Sequence, residues 1–578
     1  MSALASRDDR TVTRAERRWV FGFIALVVLL TSIPYLLGFS VQGESHVYTG
    51  FVFGVEDGNS YIAKMLSGAF GAWKFISPYT AYPQEGAWIY PFYIWLGKLA
   101  APPGLHVQLI AIFHLLRVGG LTLAVLATYD FLSFFLKEVR LRRFGLALAM
   151  LGGGLGWLVM LLGGGLWLGS MPLEFYSPEA FGFLSLYGLP HLALARALLL
   201  WALLVYLRSI TDRPDNTGFS LSSAVNRTGK DPGVHSSTIR GNPSILIASR
   251  LCVIWLLIGL VQPLTMLVLG ALLVWHLAGL AVWQLVRHIR GQPTNWPRWR
   301  RLAGIVLLAG ILPGIFILYN AWVSFNDPYV HAWAMQNLIR SPNPIHYLLA
   351  YGLLLPFAVW SGPRLLRAQP WTGWFPVGWI LLFPVLAYIP VDLQRRLTEG
   401  VWIAWVTLAM AALENLELPS QANRRRWLTL PMWLLFLSTL LLLAGSLQAV
   451  SRPAGPLFRS KNEVRVFEFL QSQGVVGQVV LAAYETGNAL PAWAPVRAVI
   501  GHGPESVNLA VLGPQVAAFY AADTPDTQRL EVIHQFNVQY VFWGPAERAL
   551  GSWSPGQAFF LRPVYQAGDY QLFQVAER

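Results

Sequence analysis

The stretch FVFGVEDGNSYIAKMLSGAFGAWK, residues 51–74, follows the first long apolar run of the chain. It sets two adjacent acids, Glu56 and Asp57, a few residues beyond that run. If the run crosses a bilayer, the acids sit at a membrane surface, and the rest of the sequence has to be read from there.

Composition supports the crossing. Of 578 residues, 55% are hydrophobic and 12% charged, with a mean hydropathy of +0.48. A soluble globular chain carries about 25% charged residues. Apolar runs of about 20 residues, the length needed to span a bilayer, recur along the sequence. The pattern predicts a polytopic α-helical membrane protein with about eleven transmembrane helices, at 19–40, 106–136, 145–168, 190–207, 246–262, 264–286, 302–320, 346–360, 374–390, 400–414 and 428–450. The apolar first run is long and lacks a small-residue cleavage site, so it reads as an anchor and not as a cleaved signal. The net charge of +13 points to loops facing the cytoplasm and not to nucleic acid. Arg7, Arg10, Arg14, Arg17 and Arg18 precede the first run. Lys137, Arg140, Arg142 and Arg143 follow the second. Further groups lie at 287–301, at Arg364 and Arg367, and at Arg424–Arg426. With the N-terminus inside, all fall on one side, which predicts a plasma-membrane protein with a cytoplasmic tail (1–18) and a transmembrane domain (19–450). Within that domain the pattern gives a first external loop (41–105) and a polar, turn-rich cytoplasmic insert (209–244). The one cysteine, Cys252, allows no internal disulfide and no cysteine-based metal site.

Residues 451–578 read differently. GQVVLAAY, VRAVIG, VQYVFWG and YQLFQV are short β-type runs, separated by helix-like stretches such as NEVRVFEFLQSQG and TPDTQRLEVIHQFN. They predict an α/β domain, extracytoplasmic by span parity.

In the opening stretch, Tyr61, Ile62, Met65, Leu66 and Phe70 share a helical face, which predicts a short amphipathic helix in the membrane interface with Lys64 snorkelling from it. Glu56 and Asp57 begin that helix. There they either cap it or act on a lipid-borne group as a general base or metal-holding carboxylate. Arg395 and Arg396, in YIPVDLQRRLTEGVWIAW (388–405), break the positive-inside pattern; they suit a substrate phosphate or pyrophosphate, or ordinary anchoring to lipid phosphates. Arg117, with His114 one turn before it, is a charge at membrane depth: it is a functional signal, or it pairs with a buried acid of another helix, or the span starts later than drawn. His191, His331 and Tyr82 can face a substrate cavity on the same side as Asp57, although a lone histidine at an interface is more often structural. Tyr82 belongs to the aromatic stretch YTAYPQEGAWIYPFYIWLGKLA (79–100), which suits an aromatic belt or a sugar-binding surface. The runs Gly152–Gly154 and Gly163–Gly165 lack the Lys-Ser/Thr of a phosphate loop and read as a close helix-packing face. No HExxH, Walker A, dinucleotide or Ser–His–Asp signature is present.

The layout resembles the GT-C fold of integral membrane glycosyltransferases. The match in motif lies in VEDGNSYIAKM (55–65) and LQRRLTEGVWIAWVTLA (393–409), which resemble stretches of bacterial members. The resemblance implies transfer of a sugar from a polyprenyl-phosphate carrier to a glycan, lipid or protein hydroxyl outside the cytoplasm, with inversion at the anomeric carbon. It also implies that Asp57, with Glu56 beside it, is the catalytic carboxylate, and that Arg395, Arg396 and Arg117 hold the donor phosphate. The loop has no Asp-x-Asp, so a divalent cation (Mg or Mn) is an option only, with Asp57 as its ligand. No WWD signature occurs, which argues against protein N-glycosylation. The competing readings are a lipid or polysaccharide transporter or flippase, for which no internal repeat is found, and an O-antigen polymerase or ligase, which does not predict the acidic first loop.

Overall fold

The computed structural model describes residues 11–211, 242–416 and 421–576. Most of the predicted insert at 209–244 lies outside them, as do the first ten residues of the predicted tail. Among the described residues, nine helices are long and apolar enough to cross a membrane, from α1 (Arg14–Val41) to Trp427–Val450. A bent pair, Pro344–Tyr351 and Leu355–Ala368, meets at 78° and reaches the same length and apolarity only when its two helices are taken together, the pattern of a broken span or a re-entrant loop. The predicted single helix over 346–360 is broken there because Pro356 opens the second segment and has no N–H to continue the first.

The predicted span at 145–168 is also not one helix. Helix Val139–Leu151 ends at Gly152 and a short helix resumes at Gly156–Leu161. Between them the backbone bonds to other segments, Gly153 N to the Leu435 carbonyl (2.7 Å) and Leu155 N to that of Leu349 (3.2 Å). Backbone inside a bilayer needs such partners wherever a helix stops. A Cβ on Gly153 would lie 2.8 Å from Ser438 Cβ, and one on Gly154 2.7 Å from Ala350 Cα. This triplet does allow close packing, but as a helix break. Gly163 and Gly165 face open space, so the two runs form no shared face.

Two arginines counted for orientation are structural. Arg142 is buried on Glu16 (2.8 Å), which also accepts from the Tyr129 hydroxyl (2.7 Å), and Arg17 pairs with Asp130.

The C-terminal region holds a five-stranded sheet. Strand β1 (His46–Tyr48) pairs antiparallel with β2 (Phe458–Ser460), stitching the segment after α1 to the start of the C-terminal region. The sheet proper comprises β3 (Val479–Leu481), β4 (Arg497–Ala498), β5 (Val538–Trp543), β6 (Leu561–Ala567) and β7 (Tyr570–Val575), in the order β4-β3-β5-β7-β6. β4, β3 and β5 run parallel; β7 and β6 run antiparallel. Each β-type run read from the sequence is a strand. β6 lies outside those runs; it carries Pro563 and sits at the sheet edge, where proline is tolerated.

The helix α2 (Val55–Ala69) does not lie exposed in an interface. Ile62, Met65 and Leu66 are fully buried, in one core with Phe467, Leu470, Phe542 and Leu572 of the C-terminal region. On its other side α2 crosses the helix Pro91–Gly97 in backbone contact. A Cβ on Gly68 would lie 1.8 Å from the Ile94 carbonyl oxygen, and one on Gly97 1.7 Å from that of Met65. Only glycine permits this approach. α2 is thus wedged between two partners, and its first turn is held in place.

Candidate functional site

α2 starts at Gly54, whose left-handed φ of 60° turns the chain into the helix. Glu56 and Asp57 occupy its first turn, where carboxylates are favoured by the exposed N–H groups. No side chain caps the helix, so the capping role open to Asp57 is not the one it has. Glu56 is taken up by the C-terminal region: its Oε1 accepts from the Tyr484 hydroxyl and from Gly503 N (3.1 Å). Asp57 Oδ1 accepts from His502 Nε2 at 3.2 Å, and Asp57 remains half-exposed on a cavity wall.

One and two turns further along α2 stand Ser60 and Lys64. Lys64 is 7% exposed, and its Nζ donates to Glu505 Oε1 (2.6 Å) and Ser60 Oγ (2.6 Å). It does not snorkel. Its partner comes from the C-terminal region, 441 residues away in sequence. His502 stands between the two carboxylates, with Nδ1 3.7 Å from Glu505 Oε1. The result is a row of alternating charge: Asp57, His502, Glu505, Lys64.

That row sets the protonation states. Desolvation pushes the Asp57 carboxyl up, but the His502 hydrogen bond and charge, with Arg396 and Lys64, outweigh it and hold the group below the usual carboxylate range. Desolvation pushes His502 down, and the Asp57 hydrogen bond with the charges of Glu505 and Asp57 brings it above its ordinary value. Glu505 ends lowered: burial raises it, and Lys64 and His502 overcome that.

The cavity beside Asp57 has a volume of about 110 Å³. Its wall includes Asp57 and Tyr61 of α2, Tyr176 and Glu179, His191 at the start of helix Pro190–Thr211, Gln262, and both Arg395 and Arg396. The two arginines are borne on a 3₁₀ turn, Gln394–Thr398. Arg395 lies over the Tyr176 ring, 4.5 Å from its centroid, and Arg396 Nε is 3.6 Å from Glu179 Oε1. Glu179 is fixed by its backbone: its carbonyl accepts from Gly400 N (3.2 Å) and from Arg196. Behind the turn, Arg196 and Glu399 form a fully buried pair. His191 Nδ1 meets the Tyr93 hydroxyl at 2.9 Å.

Of the residues singled out from sequence, Asp57, His191, Arg395 and Arg396 meet at this cavity. Four others do not line it. Glu56 turns to Tyr484 and Gly503. Arg117 is 3% exposed between helices; it bonds Thr31 Oγ1 (3.1 Å), Ser32 Oγ (2.9 Å) and His114 Nδ1 (3.3 Å), and lies over the Tyr35 ring. Its donors are engaged with α1 and with His114 of its own helix. His331, in helix Pro328–Gln336, faces the Ser324 carbonyl (3.2 Å). Tyr82 packs edge-on against Phe536. His502, Glu505, Tyr484 and Glu179 belong to no motif that the sequence singles out.

A divalent cation on Asp57 meets a poor donor set. The neighbours are cationic or already bonded: His502, Lys64 and Arg396 around Asp57, and Glu56 engaged with Tyr484. Among the described residues no group of three or more His, Cys, Asp or Glu could hold a metal ion.

No protein-family model and no curated protein matches the sequence. Solved structures do match. The chain is similar to the Archaeoglobus fulgidus oligosaccharyltransferase tethered with an acceptor peptide, at 15% identity and a TM-score of 0.50, over 91% of this chain and 69% of that one. The apo form of the same enzyme gives 14% and 0.50 over the same shares. ArnT from Cupriavidus metallidurans gives 13% and 0.47, over 96% of this chain and 98% of that one. The protein is a polytopic α-helical membrane protein with the GT-C fold of membrane glycosyltransferases and a sheet-containing C-terminal region.

Proposed function

We propose that the protein is a membrane glycosyltransferase that moves a sugar from a polyprenyl-phosphate carrier to an acceptor hydroxyl on the extracytoplasmic side of the cell membrane. The observation that carries this reading is the cavity whose wall brings together Asp57, an ionised carboxylate, and two guanidiniums, Arg395 and Arg396, the latter also 3.6 Å from Glu179. The shared fold supports it.

The chemistry follows from the charges. The carrier phosphate lies against Arg395 and Arg396, whose planar donors suit a phosphate bidentately. The acceptor oxygen attacks the anomeric carbon from the face opposite the phosphate. As its bond to that carbon forms, its proton passes to Asp57. The bond from the anomeric carbon to the phosphate oxygen breaks, and its electron pair leaves with the phosphate. The arginines stabilise that growing charge. The product is glycosylated acceptor with inverted anomeric configuration, plus free polyprenyl phosphate. A low carboxyl pKa keeps Asp57 ionised and ready for the proton at neutral pH. Tyr61 and His191 complete the wall around the sugar.

The donor site is tested by polyprenyl phosphate binding in native mass spectrometry, with wild-type protein and the double variant R395M/R396M. The reading expects bound lipid phosphate on the wild type and at least about a tenfold loss in the variant, since each hydrogen bond to a charged group contributes about 1.5–3 kcal/mol. Equal occupancy in the two proteins would remove these arginines from the donor site.

A further inference from the structure

Asp57 is the only cavity-lining acid on α2, yet the group that holds it comes from the other end of the chain. His502 is 5% exposed and lies 445 residues from Asp57 in sequence. An ionised carboxylate can only accept, so the hydrogen on this contact sits on His502 Nε2. The bond takes Oδ1. Among the described residues no donor is seen on Oδ2, so one oxygen is anchored and the other is open for a proton. The histidine is itself held by its backbone and its ring face, while its Nδ1 lies 3.7 Å from Glu505 Oε1 without a hydrogen bond. Its backbone N donates to Ser506 Oγ (3.1 Å), its ring packs on Tyr79 at 5.4 Å between centroids, and Gly503 N beside it holds Glu56. The buried pair Lys64–Glu505 pins the same loop to α2 two turns further along. A contact built this heavily does more than dock a domain, because docking is already served by Lys64–Glu505, by Asn59 on Asn488 (2.8 Å) and by the shared core.

We propose that His502, delivered by the C-terminal region, is the positioning residue for Asp57: it fixes the carboxylate's rotation and its charge, so that one oxygen stands ready for the acceptor proton. This rests on the reading of Asp57 as the base. The C-terminal region is then part of the active site, and the membrane helices alone would leave the base unoriented. The charged and titratable groups around the contact are Glu56 and Lys64 on α2, Glu505 on the same loop, Tyr79 before the sheet, Tyr484, Tyr329 and, across the cavity, Arg396. None but His502 bonds Asp57 directly among the described residues.

The test measures kcat, donor KM and the acid limb of the pH–rate profile for wild type, H502Q, H502L and D57N, in the full chain. Glutamine keeps a donor without the charge; leucine keeps neither. H502Q is expected to lower kcat about tenfold with donor KM unchanged, and to move the acid limb up by about one pH unit, because a cation near the carboxylate has been lost. H502L is expected to lose about a hundredfold in kcat. If H502L fails to fold, the H502Q profile decides alone. Wild-type kcat and an unmoved acid limb in the folded histidine variants, with D57N inactive, would overturn the role of His502 and leave the base assignment standing. Wild-type turnover in D57N would overturn both.

Discussion

Gly68→Ala tests whether the wedge around α2 is what holds Asp57 in place. A Cβ there would fall 1.8 Å from the Ile94 carbonyl oxygen, and the obstacle is backbone, not a side chain that can swing aside. To reach ordinary contact, α2 and the helix Pro91–Gly97 must part by about 1.5 Å, and Asp57 lies about three turns up the same helix. Overpacking of this kind costs about 1–3 kcal/mol. A displacement of about 1 Å at a reacting group can cost about a hundredfold in rate. G68A should therefore melt at a lower temperature than wild type and turn over about a hundredfold more slowly, while polyprenyl phosphate still binds at Arg395 and Arg396. Gly304→Ala is the control: it sits in the helix Trp296–Asn326 with nothing within 4 Å of the added carbon, so it should change neither quantity for the worse. Wild-type melting and turnover in G68A would refute the reasoning, since the close approach would then not constrain the site.

Other expectations follow from the same contacts. K64M leaves Glu505 buried without its lysine, at a cost of about 3–5 kcal/mol, while K64M/E505Q removes both charges and should recover much of the loss in melting temperature. R117M should lower the melting temperature but leave donor KM unchanged, because Arg117 braces α1 and does not line the cavity; a raised donor KM would return it to the phosphate site. The docked loop should also respond to pH. Asp57 and Glu505 are lowered from ordinary values of 3.8 and 4.5, so their contribution is present above that range and is lost as pH falls through the folded values. His502 is raised from 6.5, so its contribution is complete below that value and is lost as pH rises through the folded one. Amide exchange across residues 500–506 should be slowest between about pH 4.5 and 6.5, after correction for intrinsic rates; a monotonic change across that window would contradict the charge row.

What the sequence made legible was what local pattern can carry. Asp57, Arg395 and Arg396 stood out because each is a charge beside long apolar runs, where charge is scarce and needs a reason. The strands β3, β4, β5 and β7 were legible as apolar runs between turns. Lys64 was misread because its aliphatic stem fits an amphipathic face whether or not the ammonium reaches water; only the fold supplies Glu505. His502 and Glu505 were invisible for a related cause: GHGPES, residues 501–506, reads as an ordinary turn, and its partners lie more than 400 residues away. Its one signal was a histidine and an acid among glycine and proline in an otherwise apolar, strand-forming stretch. The run at 145–168 was apolar enough to be drawn as a single helix, and what breaks it is the contact of Gly153 and Gly154 with other segments, which no periodicity records.

The central claim is that sugar leaves a polyprenyl phosphate at the cavity between Asp57 and the two arginines. Its most direct test is release of free polyprenyl phosphate by the purified protein in lipid, from a panel of polyprenyl-phosphate sugars with hydroxyl acceptors present, for wild type and D57N, with and without a divalent cation. The account predicts release from at least one donor by wild type, and its loss in D57N with the protein still folded and the lipid still bound. Release at the wild-type rate by D57N, or bound donor crossing the bilayer without any loss of its sugar, would contradict it.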